Sequence, residues 1–147
     1  MHAVEAARDK FHAKSAGGIV MNVNTGEVLA MASLQDPALH PDPMRNIMAA
    51  NDYELGSVFK IFAFALALED HTITLDRQFP IGSGCKIGKF VIHDAEHLPA
   101  YMTARDILAE SSNAGTAQIA LLSGPKRQRQ WLNTLGLLDS THTEIPE

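Results

Sequence analysis

This chain of 147 residues has one cysteine, no basic excess, and no long apolar run. Cys85 alone excludes an internal disulfide and says little about compartment. The formal net charge of -5 argues against nucleic acid, which favours clustered lysine and arginine. Lys126-Arg127-Gln128-Arg129 is the single basic cluster, and it reads as the solvated face of a helix. A bilayer span needs about 20 apolar residues, and the longest such stretch, Ile61 to Leu68, is far shorter. No signal peptide, repeat or low-complexity tract is recognisable. What remains is a chain with 46% hydrophobic residues, ample for a core, and one domain is the default at this length.

The sequence pattern predicts helices and one amino-terminal hairpin. Val4, Ala7 and Phe11 form a single stripe within a helix over Ala3–Lys14. Gly18–Val23 and Glu27–Ala32 read as strands joined through Asn24-Thr25-Gly26, a turn whose glycine can take positive φ. Leu34–Pro43 holds three prolines and reads as a loop, and Arg45–Asp52 as a short helix. Ser57 to Glu69 is a core helix, apolar on every face from Ile61 to Leu68. The glycine-rich stretch Gly82–His93 suggests a small hairpin. Thr103 is a good N-cap for a helix through Glu110, and Asn113–Leu122 and Pro125–Leu135 are two more helices. The fold class is α+β.

Two short motifs carry the chemistry. Ser57-Val58-Phe59-Lys60 opens the apolar helix, and Ser111-Ser112-Asn113 follows about fifty residues later. Side chains at i and i+3 on a helix can touch. A serine hydroxyl is a poor nucleophile until a neighbouring base takes its proton. Lysine is such a base only where burial lowers its pKa, and the apolar helix supplies that setting. The positive end of the helix dipole acts in the same direction. Against this, a serine at a helix start is most often an N-cap and nothing more. A charge at the head of an all-apolar helix, however, is costly without a partner or a task.

The two motifs together resemble class B penicillin-binding proteins, cell-wall D,D-transpeptidases. Gly18 to Ser33 is similar to the first hairpin of their transpeptidase domain, and Arg45-Asn46 before Tyr53–Lys60 to the approach to their active-site helix. Glu110 to Thr116 is similar to their second motif, and Leu135-Gly136-Leu137 to a later segment. The match runs from about Ala16 to the last residue, and its details are nearest the septal, cell-division branch. No Lys-Thr-Gly or Lys-Ser-Gly occurs. Lys86-Ile87-Gly88 lacks the hydroxyl and lies before the second motif, so it reads as structural. The expectation is therefore residues 1–147 as the front part of the domain: an incomplete penicillin-binding, β-lactamase-like fold of helices clustered around the Ser-x-x-Lys helix with an N-terminal β-hairpin.

The resemblance implies acyl transfer through a serine acyl-enzyme. Lys60 takes the proton of Ser57 as it attacks the penultimate D-alanine carbonyl of a peptidoglycan stem peptide. Ser111 relays a proton to the departing D-alanine, and Asn113 hydrogen-bonds the substrate amide. The Ser57 N–H is one oxyanion donor, and the family's other lies on the Lys-Thr-Gly strand. Losing one such donor costs about 2.7–4 kcal/mol, so this chain by itself is expected to show little or no transpeptidase activity. β-Lactams acylate Ser57 as mimics of D-Ala-D-Ala, and no metal or cofactor is required. The family also implies a parent anchored in the inner membrane, with its catalytic domain in the periplasm and division-complex membrane proteins as partners. This chain is then an excised, soluble piece whose open sheet edge invites self-association.

Other residues carry weaker signals. His93 and His97 stand four apart, a zinc-ligand spacing, but without His-Glu-x-x-His order and just before Pro99. Asp94 matches an acidic position common in this segment of the family, and loop structure explains it better than a metal. Met21, Met31 and Met44 read as core or loop filler, and Trp131 as a packing residue. Two alternatives stay open. A serine β-lactamase shares Ser-x-x-Lys, and Gly124-Pro125-Lys126 has a loose echo there, but Ser112 replaces the usual aspartate and no deacylating glutamate is recognisable. A non-catalytic module would bind a β-lactam or a partner without turnover.

Overall fold

Alternation and turn chemistry account for the first elements of the computed structural model, which describes residues 1–36, 46–50 and 53–140. Helix α1 (His2–Phe11) ends at His12, whose φ of 49° puts it in the left-handed region. Strands β1 (Ser15–Met21) and β2 (Val28–Gln35) pair antiparallel, with Gly18 opposite Ala32 and an irregularity between Val20 and Met21. The hairpin thus starts earlier and ends later than the sequence predicts, and it takes in Leu34 and Gln35 from the expected loop. Residues 37–45, which hold the rest of that loop after Asp36, lie outside the described residues. Of the short helix over Arg45–Asp52, α2 (Ile47–Ala50) is present. These elements belong to one compact unit, Met1–Tyr53; Glu54–Ser140 forms a second.

The second unit holds both motifs. A 3₁₀ turn, Gly56–Phe59, leads into α3 (Lys60–Glu69). Ser57 therefore sits in the tighter turn and Lys60 is the first residue of the α-helix, which starts three residues later than the sequence suggests. Phe64, Leu66 and Ala67 are buried, whereas Ile61 is 50% and Leu68 37% exposed. The all-apolar run predicts a helix enclosed on all sides; its buried residues instead lie where α3 packs on α5 and in the core they share.

Strand β3 (Gln78–Pro80), the hairpin β4 (Cys85–Ile87) with β5 (Phe90–Ile92), and β6 (Tyr101–Thr103) follow. The β4–β5 hairpin is the one expected within Gly82–His93. The antiparallel pairing of β3 with β6, Phe79 opposite Met102, joins segments that no local pattern links. Thr103 caps α4 (Ala104–Ala109) by accepting from the Asp106 N–H at 3.2 Å. Helix α5 (Asn113–Thr134) is broken at Gly124, where φ is 71° and ψ 162°, so its two arms match the two predicted helices. Pro125 opens the second arm, where a missing N–H does no harm.

One core joins these elements: Phe64, Ile73, Phe79, Ile81, Met102, Ile107 and Ile119 with smaller side chains between them. Burying each large apolar side chain contributes roughly 1.5–3 kcal/mol, more than a typical net hydrogen bond. The apolar core is thus the frame against which the two motifs are held. Gly115 lets α4 and α5 approach closely, because a Cβ there would lie 2.6 Å from Ile107 Cγ2.

Two further expectations need correction. The basic cluster is only partly a solvated face: Arg127 is half-buried and grips Asp70, with Nη2 2.6 Å from Oδ1 and Nε 2.9 Å from Oδ2. Its guanidinium also lies 5.8 Å from the Trp131 ring centre. Asp70 closes α3, so this fork–fork pair ties that helix to the second arm of α5. Met21 is 52% exposed and fills no core, and Met44 lies outside the described residues.

Candidate active site

The Ser-Ser-Asn motif is the joint between two helices. Helix α4 ends in a Schellman arrangement: the Ser111 N–H donates to Leu108 O at 3.2 Å and the Ser112 N–H to Ile107 O at 2.9 Å. Ser111 occupies the position where glycine is usual, with a φ of 55°. A residue with a Cβ is strained there by roughly 1–2 kcal/mol. Ser112 is the N-cap of α5, and its hydroxyl accepts from the Gly115 N–H at 2.9 Å. Asn113 is the first residue of the new helix.

This joint faces the head of α3. Lys60 Nζ donates to the Ser111 backbone carbonyl, to Ser111 Oγ at 3.0 Å and to Asn113 Oδ1 at 2.7 Å. Among the described residues these are its hydrogen-bond acceptors, and they occupy the three donors of an ammonium. Ser57 is exposed and lines a cavity of about 250 Å³ with Ser111, Asn113, Asp94, Glu96 and Glu110. The structure therefore gathers all four expected residues, Ser57, Lys60, Ser111 and Asn113, at one place. The lysine amine is engaged with the second motif rather than with Ser57.

Burial of the Lys60 amine lowers its pKa below the usual lysine value, and the Asp94 carboxylate pulls the other way. A lysine that gives up its proton here keeps two N–H donors and has a lone pair to offer the Ser111 hydroxyl 3.0 Å away. That is the state a base needs.

Sequence reasoning gave Asp94 a loop role and passed over Ser112. The Asp94 carboxylate accepts the Ser112 hydroxyl at 2.9 Å and the N–H groups of Asn113 and Ala114, the latter at 3.2 Å. Ser112 is fully buried beneath it. The available signal was the N-cap pattern of a serine just before a helix; the partner, eighteen residues upstream, left no local trace. His93 and His97 line an adjoining polar cavity with Asp94 and Glu96, and among the described residues no three His, Cys, Asp or Glu side chains gather as a metal site.

Comparison with known proteins places this geometry. The penicillin-binding protein transpeptidase domain matches residues 16–147. The chain belongs to that family. It is 35% identical to the probable peptidoglycan D,D-transpeptidase FtsI of Caulobacter vibrioides, over 96% of this chain and 25% of the relative. It is 31% identical to penicillin-binding protein PbpB of Mycolicibacterium smegmatis, over 97% of this chain and 23% of the relative. The chain thus spans about a quarter of the length of these relatives. Its fold is similar to the apo transpeptidase domain of penicillin-binding protein 3 from Burkholderia pseudomallei, with a TM-score of 0.83 and 29% identity over 99% of this chain and 41% of that one. The α+β transpeptidase fold expected from the motifs is the one found.

Proposed function

We propose that this chain carries the nucleophile half of a serine-type peptidoglycan D,D-transpeptidase of the cell-division branch. One observation carries the reading. An amine of lowered pKa is held between a serine hydroxyl and a carboxamide, and the two residues that hold it line one cavity with a second serine, Ser57. Ser57 is the nucleophile and Lys60 the base that accepts its proton. Attack on the penultimate D-alanine carbonyl of a stem peptide forms the C–O bond of the acyl-enzyme. Collapse of the tetrahedral intermediate breaks the C–N bond, and Ser111 passes the proton to the leaving D-alanine. Asn113 orients the substrate amide. An amine of a second stem then takes the acyl group and frees Ser57. β-Lactams enter by the same attack and remain bound.

In a parent protein of the relatives' length, the same reading places the domain on the periplasmic side of the inner membrane, among division-complex membrane proteins. Among the described residues no helix is long and apolar enough to cross a membrane.

Intact-mass measurement after incubation with penicillin tests the assignment. The expected result is one penicilloyl adduct on the wild-type chain and none on Ser57→Ala. An adduct that survives Ser57→Ala would sink the nucleophile assignment, and rapid turnover of penicillin would move the protein to the β-lactamases.

A further inference from the structure

Four N–H groups at the start of any α-helix lack partners within it, and at α5 they are met from two directions. The Ser112 hydroxyl takes the Gly115 N–H, and the Ser112 N–H turns back to Ile107 O at 2.9 Å, at the close of α4. Asn113 and Ala114 donate instead to a single carboxylate oxygen of Asp94, in the turn after β5. The other oxygen of Asp94 accepts the Ser112 hydroxyl proton at 2.9 Å. Two side chains from separate parts of the chain thus complete one cap, and both are partly or wholly removed from water.

Ser111 is locked on the other side by the end of α4, through the Ser111 and Ser112 N–H groups. The position of Ser111 and Asn113 is therefore decided by two fixings, the close of α4 and the Asp94 cap. We propose that Asp94 is the positioning residue that holds the Ser111 hydroxyl and the Asn113 carboxamide against the Lys60 amine. The proposal rests on the transpeptidase reading for what those groups do, and on the contacts alone for where they are held.

A carboxylate suits this place for two reasons. Negative charge at a helix N-terminus complements the helix dipole. A carboxylate also offers only acceptors, as the three donors that meet it require. An asparagine would turn an NH₂ toward the buried Ser112 hydroxyl, which already accepts from Gly115 and would be left with a proton and no acceptor. The charge also reaches Lys60: Asp94 raises the lysine pKa against the lowering by desolvation. Glu96 and Glu110 line the same cavity, and His93 and His97 the adjoining one.

The test is nuclear magnetic resonance titration of the chain with labelled lysine, the Lys60 signal being assigned by Lys60→Arg. Asp94→Asn is expected to shift the Lys60 midpoint downward and to speed hydrogen exchange at the Asn113 and Ala114 amides. Ser112→Ala keeps the charge and is expected to leave the Lys60 midpoint in place while exchange at Gly115 quickens. A purely structural cap would move exchange in both variants and the midpoint in neither. Should Asp94→Asn not fold, the wild-type chain decides the matter, because its Asn113 amide shift must follow protonation of the Asp94 carboxylate. An Asn113 amide blind to that protonation, or a Lys60 midpoint unmoved by Asp94→Asn, overturns the proposal. If these shifts appear without any penicilloyl adduct, Asp94 keeps its role and the transpeptidase reading falls.

Discussion

Lys60 Nζ lies 3.0 Å from Ser111 Oγ, fifty-one residues further along the chain. The first consequence is a pH dependence. Because burial depresses the Lys60 pKa below 10.5, its neutral form accumulates at lower pH than for a free lysine. The rate of Ser57 acylation by a fluorescent penicillin is expected to rise with pH through a midpoint below that value. The linked stability has a definite sign. Between the folded and unfolded midpoints the unfolded chain binds a proton that the native chain lacks, so this contribution to stability grows as pH rises and is lost as pH falls through the folded value. Denaturant titrations of wild type and Lys60→Gln across the alkaline range check it, and parallel pH profiles for the two would contradict it.

Ser111 holds a left-handed conformation, with a φ of 55°, where glycine would fit best. Replacing it with glycine removes a Cβ from the left-handed region. Ser111→Gly is expected to stabilise the chain by about 1 kcal/mol while removing one of the partners of Lys60. Ser111→Ala keeps the strain and also loses the hydroxyl. Thermal unfolding of the three proteins, with adduct yield measured alongside, separates stability from function. A glycine variant less stable than the alanine variant would show that the turn imposes no strain.

Gly115 is required for the close approach of α4 and α5. The nearest atoms to a methyl group added there would all belong to Ile107, at 2.6–2.7 Å. Gly115→Ala should therefore destabilise the chain by about 1–3 kcal/mol through overpacking. Pairing it with Ile107→Val should recover part of the loss, which a urea double-mutant cycle would reveal as coupling.

The hairpin carries a sticky surface. Among the described residues β1 and β2 pair only with each other, and Val20 is 58% and Leu29 60% exposed. Open strand edges recruit further strands, so concentration-dependent self-association is expected. Light scattering should show growing mass with concentration, and Leu29→Lys should suppress it. A chain that stays monomeric at high concentration refutes this expectation.

Much of the site could be read without coordinates because its parts are local. The i, i+3 spacing of Ser57 and Lys60, the cap at Thr103, the break before Pro125 and the turn inside Gly82–His93 each depend on residues within a few positions of one another. Such features are set by backbone geometry, and they survive almost any packing. The family resemblance then named the four site residues. It did not indicate that the Lys60 amine engages Ser111 and Asn113.

Most element types and the α+β class were thus written in the order of residues; the strands β3 and β6 were not. Three contacts were not, nor was one exposure: Asp94 capping α5, β3 pairing with β6, Arg127 gripping Asp70, and the open faces of α3 at Ile61 and Leu68 came from the folded chain alone. The difference is one of range. Periodicity and capping act over about four residues, whereas each of these features depends on how the whole core closes.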